Sequence, residues 1–382
     1  MASGRVRTFI GLGANVGDAE ATLRAAVTSL ASLPGARLVG VSRLYRTKPV
    51  GVEDQPDFLN AVVELDVLSG PEPAAGATNL LVQLKTLERE AGRRERQRWG
   101  PRELDLDLLL FGDERISIER PPEARSVDAE ADPSKRAKLL EVPHPSMRDR
   151  LFVLAPLSDL APDLVPPGWD DTVDAARRAR LDAEGEDAVR LVGPWSAPVG
   201  AWIRALRFSA KDPLEPGRYR HDSFEPALSF EVGPGWLAVQ DVPGFFDIEQ
   251  DPGTPDVIAI QFARPVGASV AADLVSRIEA ANGFRVDGAT PIDLGGLAGP
   301  SIVVDAADPD IAANRFVPVF DIGLGPISIA SGRRLRLDLV ETPAGVLAIL
   351  VGGSVRAWAA ALQAAEPVLA SIRFEWAESH HR

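Results

Sequence analysis

Two rhythms of apolar residues alternate along the first half of the chain. Residues 8–13 form a short apolar run ending in glycine, and residues 14–18 carry turn chemistry. Leu23, Ala26, Val27, Leu30 and Leu33 then return at helical spacing, with Asp18 placed to cap the helix and Pro34-Gly35 to stop it. Residues 37–45 read as a strand, residues 47–57 as a loop and residues 59–67 as another strand. Leu80, Leu81, Leu84, Leu87 and Ala91 outline a second amphipathic helix closed by Gly92. Residues 104–111, LDLDLLLF, open with the strict alternation of a strand. The order βαββαβ predicts an α+β sandwich of the ferredoxin-like kind.

Beyond that strand the pattern lapses. Residues 120–138 are rich in Pro, Asp, Glu and Ala without periodicity, and read as an insertion that loops into solvent. Residues 153–164 form a short apolar helix or turn, and residues 171–181 a closing helix. From about Trp195 the texture changes: strand-like runs at 229–239, 257–264, 301–305 and 335–351 alternate with helical spacing at 270–282 and 357–372. The expected organisation is a first domain over 1–190, a linker over 191–204 and a second α/β sandwich domain over 205–382.

Composition narrows the options. The chain has 382 residues, 41 Lys+Arg against 55 Asp+Glu, and a formal net charge of -14, which disfavours whole-surface attraction to nucleic acid or anionic lipid. It has no cysteine, which excludes disulfides, thiolate metal sites and a cysteine nucleophile. The N-terminal residues lack a signal-peptide apolar region, and no stretch of about 18 apolar residues occurs. A soluble, cytoplasmic protein is expected, with no nucleic-acid or membrane partner.

The chemistry concentrates between residues 88 and 111. On a strand, Asp105 and Asp107 share one face while Leu104, Leu106 and Leu108 point the other way. Carboxylates this close repel one another unless a cation sits between them, and Mg²⁺ typically takes one or two carboxylates together with substrate phosphates. Just upstream, Arg89, Arg93, Arg94, Arg96, Arg98 and Arg102 supply guanidinium groups suited to bidentate phosphate recognition. Carboxylates for a metal beside an arginine cluster are what nucleotide phosphoryl transfer requires. The same residues would also suit a salt-bridged helix end followed by an exposed edge strand. The intervening Trp-Gly-Pro-Arg turn at 99–102 weighs against that reading.

The segment RWGPRELDLDLLLF at 98–111 resembles the signature of the 6-hydroxymethyl-7,8-dihydropterin pyrophosphokinases of folate biosynthesis. The opening IGLGAN at 10–15, YRT at 45–47 with Pro49 and Gly51, DQPDFLNA at 54–61, VPHP at 142–145 and RLFVL at 150–154 extend the likeness over about residues 5–180. The resemblance implies transfer of pyrophosphate from ATP to the pterin hydroxymethyl group, releasing AMP, with two Mg²⁺ ions held by Asp105 and Asp107. It implies phosphate-side or catalytic roles for Arg93 and Arg102. Arg98, Trp99, His144 and Arg150 fall on the ATP side, and Thr47, Phe58, Asn60 and Phe152 around the pterin. Phe58 stands where the family often has Tyr. The family's Gly-Arg-x-Arg reads Gly92-Arg93-Arg94-Glu95 here, so its second arginine is displaced onto Arg94 or Arg96.

The second half offers no comparable cluster. Its order of elements weakly resembles a PsbP/Mog1-like sandwich, which carries no activity with it. His221 beside Asp222 reads as an exposed loop histidine, and neither of the second enzymes commonly fused in this pathway is recognisable. A noncatalytic binding or interaction module is expected there. Two alternatives stand: a degenerate kinase fold serving as a scaffold, and a nucleic-acid binder using the arginines. The first gives no reason to keep paired aspartates on one face. The second would need aromatics interleaved with the basic residues.

Overall fold

Strand β1 (Arg5–Ala14) and helix α1 (Ala19–Ala31) are joined by the turn that the sequence places there, and the Asp18 carboxylate accepts a hydrogen bond from the Ala21 N–H at 2.9 Å. That side-chain acceptor satisfies one of the free donors at the helix start. The computed structural model describes residues 4–49, 54–92, 100–124, 139–205, 212–222, 224–281, 283–306, 316–323, 326–330 and 332–376. The chain divides into two units, Met1–Trp202 and Ile203–Arg382, each of mixed α/β structure.

In the first unit, β2 (Arg37–Val41), β3 (Leu44–Thr47), β4 (Phe58–Leu68), α2 (Pro73–Glu90), β5 (Asp105–Phe111), β6 (Ile116–Glu119) and β7 (Leu139–Val142) follow in turn. Helices α3 (Leu151–Leu160) and α4 (Val173–Glu184) and strand β8 (Val189–Gly193) close it. The main sheet runs in the order β5-β1-β4-β3-β8, with β2 also on β4, and every pairing is antiparallel. One core joins the inner residues of β1, β4 and β5 to α1 and α2, through Leu12, Leu106, Leu23, Leu30, Leu80 and Leu84 among others. A second core joins Phe9, Val62 and Leu109 to Leu154, Leu157 and Ala176 of α3 and α4.

In this unit three expectations change. The strand expected over 37–45 breaks at Ser42, because the Ser42 hydroxyl takes the Val62 N–H at 2.8 Å in place of a ladder partner. The adjoining Arg43 N–H turns aside to the Asp159 carboxylate at 3.0 Å. The linker expected over 191–204 begins inside β8, which pairs with β3, and Trp202 is fully buried with its indole N–H on the Ser42 carbonyl at 2.8 Å. The insertion expected over 120–138 starts later. Arg120 is tied to the Leu139 carbonyl at 3.0 Å and Ala124 is buried in the α1/α2 core, while residues 125–138 lie outside the described residues.

In the second unit an eight-stranded sheet runs Asp212–Pro213, Trp236–Val242, Phe245–Gln250, Ile258–Ala263, Gly345–Ser354, Arg333–Thr342, Leu297–Ala306, Phe284–Leu294. Helix α5 (Ala271–Ala280) joins a core with Leu337, Leu339 and Leu350. Helix α6 (Trp358–Ala370) joins another core with Phe246, Phe262, Ile349 and Val351. The strand expected over 229–239 divides into Ala227–Val232 and Trp236–Val242, because Gly235 turns the chain at φ +91. His221 corrects its reading as an exposed loop residue. It ends the strand Gly217–His221, is 3% exposed and stacks on Phe246 with ring centroids 4.3 Å apart.

Candidate active site

The site is laid out by register across three strands. Asp105 lies opposite Gly13 and Asp107 opposite Gly11, while on the other side of β1 Gly13 lies opposite Asn60 and Gly11 opposite Val62. Directly opposed residues of an antiparallel pair share a face, so Asn60, Gly13 and Asp105 form one row. At about 4.8 Å per strand, Asn60 and Asp105 stand roughly 10 Å apart across a floor that glycine leaves clear. Clearance at Gly13 is small, since a Cβ there would come 3.3 Å from the Asn60 Oδ1. Asp105 and Asp107 are half-buried, whereas Leu106 and Leu108 are buried on the opposite face. The alternation read from the sequence therefore holds in space.

At the far end of the row, the Asn60 amide donates to the Thr47 hydroxyl at 2.8 Å, and both residues are buried. Phe58 stands opposite Thr47 in the β3/β4 ladder. Phe152 lies in the first turn of α3 and packs against the second core, with the Arg150 guanidinium 5.6 Å from its ring centre. Helix α3 is fastened over β3 by Asp159, which accepts from the Tyr45 hydroxyl at 3.0 Å and from the Arg43 Nε at 2.8 Å. Burial, followed by the adjacent Asp159 charge, pushes the Tyr45 phenol well above its ordinary pKa, so it stays a hydrogen-bond donor.

On the acidic side, the Arg102 guanidinium pairs directly with Asp105. Its backbone is held by a residue that the sequence marks only as turn chemistry. The Arg102 N–H donates to Asn15 Oδ1 at 2.7 Å, and the Asn15 N–H donates to the Arg102 carbonyl at 3.0 Å. The Asn15 amide also donates to Gln55 Oε1 at 3.1 Å and to the Pro56 carbonyl at 2.9 Å. Asn15 is only 4% exposed, so this asparagine ties the Arg102 segment to the loop ahead of β4. Its one sequence signal is a polar residue directly after an apolar strand.

His144 comes to the same face through a bulge. Phe9 pairs with Leu110 and Ile10 with Leu108, which leaves Leu109 as the extra residue on β5, and its carbonyl accepts the His144 N–H at 2.9 Å. Burial pulls the His144 pKa below its ordinary value, against the opposing pull of Asp107. His144 Nδ1 accepts from the Ser146 N–H at 3.3 Å, so the neutral ring carries its proton on Nε2. Arg150 and Arg120 are the cations that act on it. In the sequence Arg120 marks only the start of an insertion. A cavity of about 330 Å³ opens beside His144, lined also by Arg115, Glu141, Arg148 and Trp169.

The structure thus gathers Asp105, Asp107, Arg102, His144 and Arg150 at one end, and Thr47, Asn60 and Phe58 at the other. Arg93, Arg98 and Trp99 lie outside the described residues, as do Arg94 and Arg96. Among the described residues no group of three or more His, Cys, Asp and Glu side chains could hold a metal ion. Two carboxylates on one face are a hard oxygen donor set. They fit a magnesium ion that completes its shell with phosphate oxygens rather than one enclosed by protein.

Residues 9–162 match the family model for 7,8-dihydro-6-hydroxymethylpterin-pyrophosphokinase (HPPK). A 2-amino-4-hydroxy-6-hydroxymethyldihydropteridine pyrophosphokinase of Methylorubrum extorquens is 39% identical over 183 residues, covering 48% of this chain and 98% of that protein. The proteins of the same name from Pseudomonas aeruginosa and Bacillus subtilis are 40% and 41% identical, covering 42% and 40% of this chain and 84% and 76% of theirs. A solved Plasmodium falciparum HPPK-DHPS structure aligns at TM-score 0.37 and 14% identity, over 50% of this chain and 47% of that one.

Proposed function

Because the chain belongs to the 7,8-dihydro-6-hydroxymethylpterin-pyrophosphokinase family, we propose that its first unit transfers a pyrophosphoryl group from ATP to 6-hydroxymethyl-7,8-dihydropterin in folate biosynthesis. The hydroxymethyl oxygen attacks the β-phosphorus, the bond from that phosphorus to the oxygen bridging the α-phosphorus breaks, and AMP leaves with that oxygen. The hydroxyl proton passes to solvent. Such a transfer needs little covalent help from the protein and much positioning and charge neutralisation.

The row across the sheet and the family resemblance support the following roles. Thr47 and Asn60 bind the hydrogen-bonding edge of the pterin, and Phe58 and Phe152 flank its rings. Arg102, His144 and Arg150 face the triphosphate, with Arg93, Arg98 and Trp99 completing that side by family resemblance. Asp105 and Asp107 would hold Mg²⁺, two ions by the same resemblance, and the metal when bound neutralises charge on the phosphates. The single observation that carries the reading is the Asn60–Gly13–Asp105 row, in which a glycine stands between an amide and a carboxylate. The antiparallel order β5-β1-β4-β3, with α1 and α2 packed together in one core, supports a ferredoxin-like first domain.

For the second unit we retain an α/β sandwich serving as a noncatalytic binding or interaction module. Several of its charged side chains are taken up in internal pairs, such as Arg334 with Asp305 and Arg356 with Asp256. The test is an AMP-release assay on the full chain with ATP and the hydroxymethyl pterin, compared with Asp107→Ala. Turnover in the parent and a loss of at least ~10²-fold in the variant, at unchanged thermal stability, is expected. Near-normal release by Asp107→Ala would remove the metal assignment. No release by the parent would leave the scaffold reading.

A further inference from the structure

We infer that a buried ion pair on α2, Lys85 with Glu88, acts as a positioning clamp for the two acidic residues of β5. The inference rests on the proposed function and assigns work to residues that the family signature does not include. Among the described residues β5 ends its sheet, and one of its edges meets no strand. Near the start of that edge the backbone N–H and C=O of Leu106, which separates Asp105 from Asp107, are held from outside the sheet. Glu88 Oε1 accepts the Leu106 N–H at 2.8 Å, and Lys85 Nζ donates to the Leu106 carbonyl at 3.0 Å. The ring closes with Lys85 Nζ on Glu88 Oε1 at 2.6 Å. The Glu88 side chain is fully buried and that of Lys85 is 6% exposed.

A charge pair this deep in a core is an unusual way to cover a strand edge. Removing two charges from water is costly, and an apolar pair of similar volume is often as stable or more so. What the pair supplies that leucine and methionine could not is an acceptor for the peptide between Asp105 and Leu106 and a donor for the peptide between Leu106 and Asp107. On the side facing β1, Asp105 and Asp107 are registered against Gly13 and Gly11, which offer no side chains to steady them. The two peptide planes flanking Leu106, one shared with each aspartate, bear on the Cα–Cβ directions of both neighbours. The clamp therefore sets how far apart the two carboxylates stand and where they point.

Second-layer contacts that orient ligating groups typically carry ~10–100-fold in metal affinity or activity. Glu88→Ala and Lys85→Met in the full chain are expected to fall in this range. Two readouts apply: kcat for AMP release, and Mg²⁺-dependent binding of a nonhydrolysable ATP analogue measured by calorimetry. Affinity for the pterin alone, whose pocket lies at the other end of the row, stays within about twofold. Glu88→Gln keeps an oxygen in reach of both Leu106 and Lys85, and restores most of the loss.

Two outcomes overturn the clamp. One is unchanged Mg²⁺-dependent nucleotide binding in Lys85→Met and Glu88→Ala, with folding intact. The other is a parallel loss of pterin and nucleotide affinity, the signature of a merely structural pair. Asp107→Ala in the same binding experiment separates the two levels. If it binds the Mg²⁺ nucleotide normally, the metal site itself is wrong. If it fails while the Lys85 and Glu88 variants do not, only the clamp is.

Discussion

Asp159 fastens α3, which carries Phe152, to β3, which carries Thr47, and its removal tests how the fold supports the pterin end. The carboxylate is 8% exposed and accepts the Tyr45 hydroxyl at 3.0 Å, the Arg43 Nε at 2.8 Å and the Arg43 N–H at 3.0 Å. Tyr45 is 7% exposed, so Asp159→Ala strands a buried hydroxyl at a cost of ~1–3 kcal/mol. The Arg43 side chain is 49% exposed, and its ion pair adds only ~0.5 kcal/mol after solvent screening. With the backbone N–H contributing ~0.5–1 kcal/mol, the expected loss is about 3 kcal/mol. Tyr45→Phe alone gives up the hydroxyl and its bond together, and costs ~1 kcal/mol. Once Tyr45→Phe has removed the hydroxyl there is nothing left to strand, so Asp159→Ala added to that variant becomes cheaper by ~1–2 kcal/mol. Urea unfolding of the four proteins, with β3 and α3 followed by amide exchange, measures that coupling. The pterin KM rises up to about tenfold, because a small misplacement of binding groups is enough, while the ATP KM stays put. A coupling near zero, or an Asp159→Ala loss below ~1 kcal/mol, would show that the α3/β3 packing stands without the polar link.

Two other substitutions probe different parts of the molecule. Gly13→Ala places a methyl 3.3 Å from the Asn60 Oδ1 and displaces that amide by a few tenths of an ångström, so pterin affinity falls ~3–10-fold with nucleotide affinity unchanged. Equilibrium titration of the two ligands decides it, and equal pterin affinity in parent and variant would deny that the floor matters. In the second unit, burial, with Glu249 alongside, pushes the Asp247 carboxyl up to about 6. The unfolded carboxyl titrates near ~3.9, so the native form holds its proton more tightly, and stability is present at low pH and lost as pH rises through about 6. Asp247→Asn removes that ionisation, and is expected to stabilise by ~3 kcal/mol at about pH 8 and by only ~0.5 kcal/mol at about pH 4. Urea midpoints of the second unit at the two pH values check it, and an equal difference at both would refute it.

The parts of the site that can be read from the chain alone are those governed by local periodicity. LDLD alternates over four residues, and strand geometry alone puts Asp105 and Asp107 on one face. Asp18 caps α1 because a cap needs only its own helix. Longer reach defeats this kind of reading. Asn15 acts through Arg102, 87 residues away, and through Gln55, 40 residues away, so in sequence it is only a turn asparagine. Arg120 stands at the head of an aperiodic acidic stretch, where a cation looks solvated. Only the β6/β7 hairpin brings it beside His144. His221 escapes for a related reason. Flanking charged residues suggest a loop, while its ring is buried against Phe246, which is on another strand further along the chain.

Lys85 and Glu88 show the limit most clearly. Three residues apart on an amphipathic helix, they match the spacing of any exposed ion pair. Their burial follows from the placement of α2 beside β5, where the N–H and C=O of Leu106 meet both side chains. Gly11 and Gly13 behave in the same way. In one dimension they are a weak glycine pair, and across three strands they are the gap between the amide end and the carboxylate end. Residues that touch substrate tend to be chemically conspicuous in a sequence. Residues that hold them in place are conspicuous only when the partner is known, and that partner is supplied by the sheet order.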